Sequence, residues 1–145
     1  MFADLLKRLT DPAPAPLPDT DARRALAALL VRVARSDNDY SAGERARIRD
    51  ILAARYALED ADRDALLADA EILEAEAPDT VRFTRAIKDA VAYDERRAVV
   101  EALWKVALAD GKRAKEEDAL LRLVANLLGV TDVDSANARK RAETG

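Results

Sequence analysis

The sequence predicts an all-α protein, and three observations carry that prediction. The first is composition: Ala, Leu, Arg, Asp and Glu dominate, with four Gly, five Pro and few aromatic residues. These are mostly good helix formers, and strand-favouring side chains are scarce. The second is spacing, because apolar residues recur at i, i+3, i+4 and i+7 along most of the chain. The third is an internal echo. Val33/Val106, Ala34/Ala107, Asp37/Asp110 and Glu44/Glu117 are identical pairs, each 73 residues apart, and Ile48/Leu121 and Ile51/Val124 are alike. A fixed-offset echo marks a duplication, and two copies are too few for a solenoid. The expectation is a single helical domain of about seven or eight helices, built from two pseudosymmetric halves with internal repeats at roughly 26–58 and 99–131.

The N-terminal elements set the frame. Phe2, Leu5, Leu6 and Leu9 share one face of a short amphipathic helix within residues 1–10. It reads as a strap on the domain, with peripheral membrane contact through residues 2–9 as the alternative; so short a helix buries little area. Residues 11–19 form a linker whose prolines fall at every second position from Pro12 to Pro18. Fixed φ and missing N–H groups make it an extended spacer, and the alternation leaves no Pro-x-x-Pro recognition spacing. The main domain then runs over residues 20–145.

Asp19-Thr20-Asp21 supplies N-cap chemistry for a helix with Leu26, Leu29, Leu30, Val33 and Ala34 on one side. It ends at Ser36-Asp37-Asn38-Asp39. Ser41 and Glu44 have capping-box spacing, hydroxyl at N-cap and carboxylate at N3. The helix they open carries Ile48, Ile51 and Leu52, and Glu59-Asp60 opens another with Leu66, Leu67, Ala70 and Leu73. Pro78-Asp79-Thr80 breaks that helix and caps the next, which presents Phe83, Ile87, Ala90 and Val91. A joint falls at 92–95. Val99, Val100, Leu103, Val106 and Ala107 line the helix into the second acidic turn. Trp104, beside that stripe, reads as a core or rim aromatic, with ligand stacking as the alternative.

The helix after Glu117 reads as the most apolar in the chain, with Leu120, Leu121, Leu123, Val124, Leu127 and Leu128. Such breadth predicts burial on several sides and a central position. Gly129 suits its C-terminal cap. From Thr131 a last, polar helix runs to a fraying end.

Composition also bounds function. At 145 residues, 50% hydrophobic and 36% charged, the chain makes one folded domain with a substantial core. It has neither Cys nor His. Thiol catalysis, zinc-finger chemistry and histidine acid–base catalysis are therefore excluded. Any metal must be held by oxygen, which favours Ca²⁺, Mg²⁺ or Mn²⁺. A net charge of −4 argues against nucleic acid as a partner. No apolar run approaches the ~20 residues of a transmembrane segment. Residues 1–9 are too short and too charged for a signal peptide, so a cytoplasmic location is expected.

The candidate chemistry lies in Asp37, Glu44, Asp110 and Glu117. In each half the Asp stands at a helix C-terminus and the Glu in the first turn of the next helix. If the halves pack about a twofold axis, both turns face one side and gather four carboxylates, with Asp39 and Glu116 nearby. Their mutual repulsion then calls for a cation or basic side chains. The competing reading is ordinary turn and cap chemistry. Glu in a first helical turn suits the macrodipole, whereas Asp at a helix C-terminus opposes it, and that choice is made twice. An EF-hand fails: Ala42 stands where the loop needs Gly, and Ile48 where it needs a bidentate Glu.

Val106-Ala107-Leu108-Ala109-Asp110-Gly111 with Glu117, echoed by Ser36-Asp37-Asn38 with Ser41 and Glu44, resembles the TerB tellurite-resistance family over roughly Leu26 to Thr131. A related domain occurs in a DnaJ-type membrane co-chaperone. The resemblance implies an all-helical fold of two pseudosymmetric halves and a metal site at Asp37, Glu44, Asp110 and Glu117. It points to a non-enzymatic, bacterial protein of tellurite resistance or the metal and stress response. Asn38 and Ala114 stand where the family usually has Gly and Ser/Thr. Two functions follow as expectations: a cytoplasmic domain holding a divalent cation, or a structural module that docks a protein partner with no metal. An enzyme is not expected, because nothing marks an activated nucleophile.

Overall fold

The computed structural model describes residues 5–7, 19–35, 40–77, 79–108 and 115–144, and every regular element among them is helical. The main helices are α1 (Asp19–Ala34), α2 (Ala42–Tyr56), α3 (Asp60–Glu76), α4 (Thr80–Ala90), α5 (Tyr93–Ala107), α6 (Lys115–Leu127) and α7 (Asp132–Thr144). Of the N-terminal strap, residues 5–7 are helical; Leu5 is buried and Leu6 packs against the core. Phe2, Leu9 and linker residues 11–18 lie outside the described residues.

Local chemistry accounts for the boundaries. The Asp79 carboxylate accepts the Arg82 N–H at 3.0 Å and starts α4, satisfying one of the N–H groups a helix start leaves without a carbonyl. The joint expected over 92–95 is shorter than that. Val91 and Ala92 are extended, and α5 begins at Tyr93. Arg96 makes the short break stable by donating to the Val91 and Leu128 carbonyls, so one guanidinium caps the ends of α4 and α6 together.

α1 is the centre of the fold. It packs against α2, α3, α4, α5 and α6, and Ala25 through Val31 are buried without interruption. The expectation that α6 holds this place is corrected here. Leu123 of α6 is 46% exposed, and Leu120 is half-buried against the core edge. The reason is side-chain size: Ala25, Ala27 and Ala28 leave the back of α1 flat, and neighbouring helices approach on every side. Trp104, 2% exposed, is a core residue. Glu74 and Thr84 are buried polar residues, and Arg32 reaches Glu74 across α1 and α3 at 3.7 Å.

The duplication runs further than the sequence echo. α1–α2–α3 corresponds to α5–α6–α7, with α4 inserted between them, and the hairpins α1/α3 and α5/α7 pack alike. α2 and α6 finish in the same left-handed turn. Ala57 has φ 53° and Leu58 donates to Ala53 O at 3.1 Å; Gly129 has φ 72° and Val130 donates to Ala125 O at 3.0 Å. This six-to-one bond is the Schellman stop. From this stop onward the offset is 72, and Leu66/Ala138 and Ala70/Ala142 take corresponding inward positions on α3 and α7. α7 is helical through Thr144, with Ala142 buried.

Candidate cation site at the acidic turns

Glu44 is the third residue of α2 and closes the predicted capping box. Ser41 Oγ accepts the Glu44 N–H at 3.0 Å, and Glu44 Oε1 accepts the Ser41 N–H at 3.2 Å. Glu44 as a whole is 2% exposed. Burying an ionised group costs several kcal/mol unless hydrogen bonds or opposite charge offset it. A cap bond occupies one lone pair of a group that offers about four, so capping and cation ligation are compatible.

Basic side chains near Glu44 pair with carboxylates of α3. Arg45 makes a two-bond fork on Glu71 at 3.2 and 3.3 Å. Glu74 lies 3.7 Å from Arg32 and 3.9 Å from Arg35. Arg35 also sits over the Tyr40 ring, 5.2 Å from its centroid. Burial pushes the Tyr40 phenol well above its ordinary range, and the negative charge of Glu71 adds to the rise. Tyr40 is therefore a neutral phenol beside Arg35 and Glu71. Two α3 carboxylates, Glu71 and Glu74, thus pair with three cations, Arg45, Arg32 and Arg35.

The second turn starts from α5, whose last residues pack Val106 and Ala107 inward. Leu108 ends the helix with its N–H on the Trp104 carbonyl at 3.1 Å. Glu117 is the third residue of α6, the position Glu44 holds in α2. Ala114, at the place of Ser41, has no hydroxyl with which to cap. Asp37 and Asp110 lie outside the described residues, as does the Glu117 side chain. Among the described residues no group of three or more acidic side chains could hold a metal.

The described helices do settle how the ends flanking the two turns are oriented. Arg55 and Glu95 pair at 2.5 Å, joining the C-terminal end of α2 to the N-terminal end of α5. The two packed helices thus run antiparallel. The start of α2, with Glu44, and the end of α5, before Asp110, therefore face the same way. Sequence reasoning identified the capping box because its signal is local. It missed Glu71 and Glu74 as the partners of Arg45, Arg32 and Arg35, since a long-range partner leaves no periodic signature.

The family model for Tellurite resistance protein TerB matches residues 23–140. No curated protein and no solved structure matches the chain at a significant level. No helix among the described residues is long and apolar enough to cross a membrane.

Proposed function

This chain belongs to the TerB tellurite-resistance family, and from that premise we propose that it is a non-enzymatic domain that binds a divalent cation through its two acidic turns. Asp37 and Glu44 from one half, and Asp110 and Glu117 from the other, would supply the oxygen ligands. Oxygen-only ligation suits Ca²⁺, Mg²⁺ or Mn²⁺, which prefer carboxylate and carbonyl donors. The domain would act in the cytoplasm, in tellurite resistance or a wider metal and stress response, with a protein partner reading its loaded state.

The observation that carries this reading is a repeated cost. In each half the sequence sets an Asp three residues beyond the last residue of the leading helix, on the side where the dipole disfavours negative charge, and a Glu seven residues on. The antiparallel α2/α5 pair supports a shared location, because the helix ends flanking both turns face one way. A bound cation would offset the repulsion that such a gathering of carboxylates creates.

Calorimetric titration of metal-free protein with Ca²⁺, Mg²⁺ and Mn²⁺, beside an Asp37→Asn/Asp110→Asn variant, tests the proposal. Ion at one hundred times its dissociation constant should stabilise the fold by ~2.7 kcal/mol, raising the melting temperature by several degrees. Heat and melt shift should both vanish in the variant. No heat at millimolar ion, or binding that the variant retains, would return the four acids to cap and turn chemistry.

A further inference from the structure

A groove of about 690 Å³ lies between α2 and α5. Its floor is apolar and shallow, made by Ile51, Ala54, Ala98 and Ala102. Small side chains on facing helices keep the surface low enough to admit a third helix. Arg55 also lines a second hollow of about 340 Å³, formed with Leu26, Arg23 and Tyr56. From Arg47 to Tyr56 the α2 wall covers ~14 Å at 1.5 Å per residue, two and a half turns of an accompanying helix.

The rim carries the discriminating chemistry. Arg55 and Arg141 are paired with Glu95 and Glu101. Arg47 and Lys105 at one end, and Arg23 at the other, have no carboxylate partner among the described residues; Arg23 stacks on the Tyr56 ring at 4.8 Å. The remaining acid of the lining is Asp50. Five cations thus face three carboxylates, Asp50, Glu95 and Glu101, on a protein whose net charge is −4. A locally basic rim over an apolar floor complements an acidic amphipathic helix, whose apolar residues at i, i+3, i+4 and i+7 fill the groove. Nucleic acid fits less well, since all three carboxylates would face phosphates.

We propose that the α2/α5 groove docks an acidic amphipathic helix of a partner protein, with carboxylates of that helix on Arg23, Arg47 and Lys105. The test is selection of a displayed library of twenty-residue amphipathic helices, with randomised flanks, on the full chain. Selected peptides are then titrated by fluorescence anisotropy against the wild type and an Arg47→Glu/Lys105→Glu variant. Neither residue carries an ion pair among the described residues, and a thermal melt matching the wild type shows that the variant is folded. The expected result is enrichment of Asp and Glu flanks, binding at least tenfold weaker to the variant, and weaker binding at higher salt. No enrichment, peptides with basic flanks, or binding the variant retains would overturn the proposal. So would a single-stranded RNA that displaces the peptides and binds more tightly, or a dimer in sedimentation that the same variant dissolves. The Asp37→Asn/Asp110→Asn variant should keep peptide binding, so the groove and the cation reading fail separately.

Discussion

The two halves share a plan and solve its details differently. In the first half the leading helix, α1, is buried all round through Ala25–Val31, whereas its counterpart α5 leaves Glu101 and Lys105 half-exposed at the groove. The second helix of the first half starts on a closed Ser41/Glu44 box and stops on Ala57 at φ 53°. The second helix of the other half has Ala114 before its start and stops on Gly129 at φ 72°. One half therefore has the better start and the other the better stop. Duplicated folds keep the backbone geometry and let each local device drift, because a cap contributes only about 1 kcal/mol.

The largest effect should separate the central helix from the helix the sequence favoured for its place. Leu29→Ala in α1 leaves a cavity among several helices and should cost ~2–5 kcal/mol. Leu123→Ala in α6, at a side chain 46% exposed, should stay within ~0.5 kcal/mol. Urea unfolding monitored by Trp104 fluorescence measures both, and equal losses would remove α1 from the centre.

The stop of α6 comes next. Gly129→Ala imposes a left-handed conformation on a residue with a Cβ, at ~1–2 kcal/mol. The added carbon would also stand 2.9 Å from Lys88 Cε and 3.0 Å from Arg96 Nη1. Lys88 can swing aside, but Arg96 is held by the Val91 and Leu128 carbonyls. A melting temperature unchanged from wild type would contradict this account of the turn.

Exchanging the caps should move the halves in opposite directions. Ser41→Ala opens the box and should cost ~1 kcal/mol, while Ala114→Ser should gain up to about that much by giving α6 the hydroxyl it lacks. Hydrogen exchange at the first turns of α2 and α6 locates each effect. The smallest change is expected at the strained stop of the first half. Ala57→Gly relieves the positive φ, but adds freedom to the unfolded chain worth ~0.4–1 kcal/mol. The net should be a gain of a few tenths of a kcal/mol, seen as a small rise in the denaturation midpoint.

Much of this molecule was legible locally. Ser41 and Glu44 announce their box three residues apart, Asp79 announces the start of α4, and Gly129 the end of α6. The repeat was visible as far as Leu58 and Thr131 but not into α3 and α7. The offset has slipped from 73 to 72 by the stops of α2 and α6, and beyond them Ala138 and Ala142 answer Leu66 and Ala70. Of the candidate site, the sequence placed Glu44 at N3 of its helix, and α6 puts Glu117 at the same position. The pairing of Arg45 with Glu71, 26 residues away, had no local sign.

By itself the sequence determined helical class, most helix boundaries, the duplication and the oxygen-only chemistry open to a ligand. These depend on 3.6-residue periodicity, on capping within one turn, and on which side chains are absent. Tertiary structure alone decided that α1 is central, that α2 and α5 run antiparallel, and that Arg47 and Lys105 line the groove between them with Arg23 in the hollow beside it. Centrality was hidden because alanine contributes little apolar area yet permits close approach from every side. The groove was hidden because its walls come from helices about 50 residues apart, and pairing at such separation is settled by packing that no local pattern encodes.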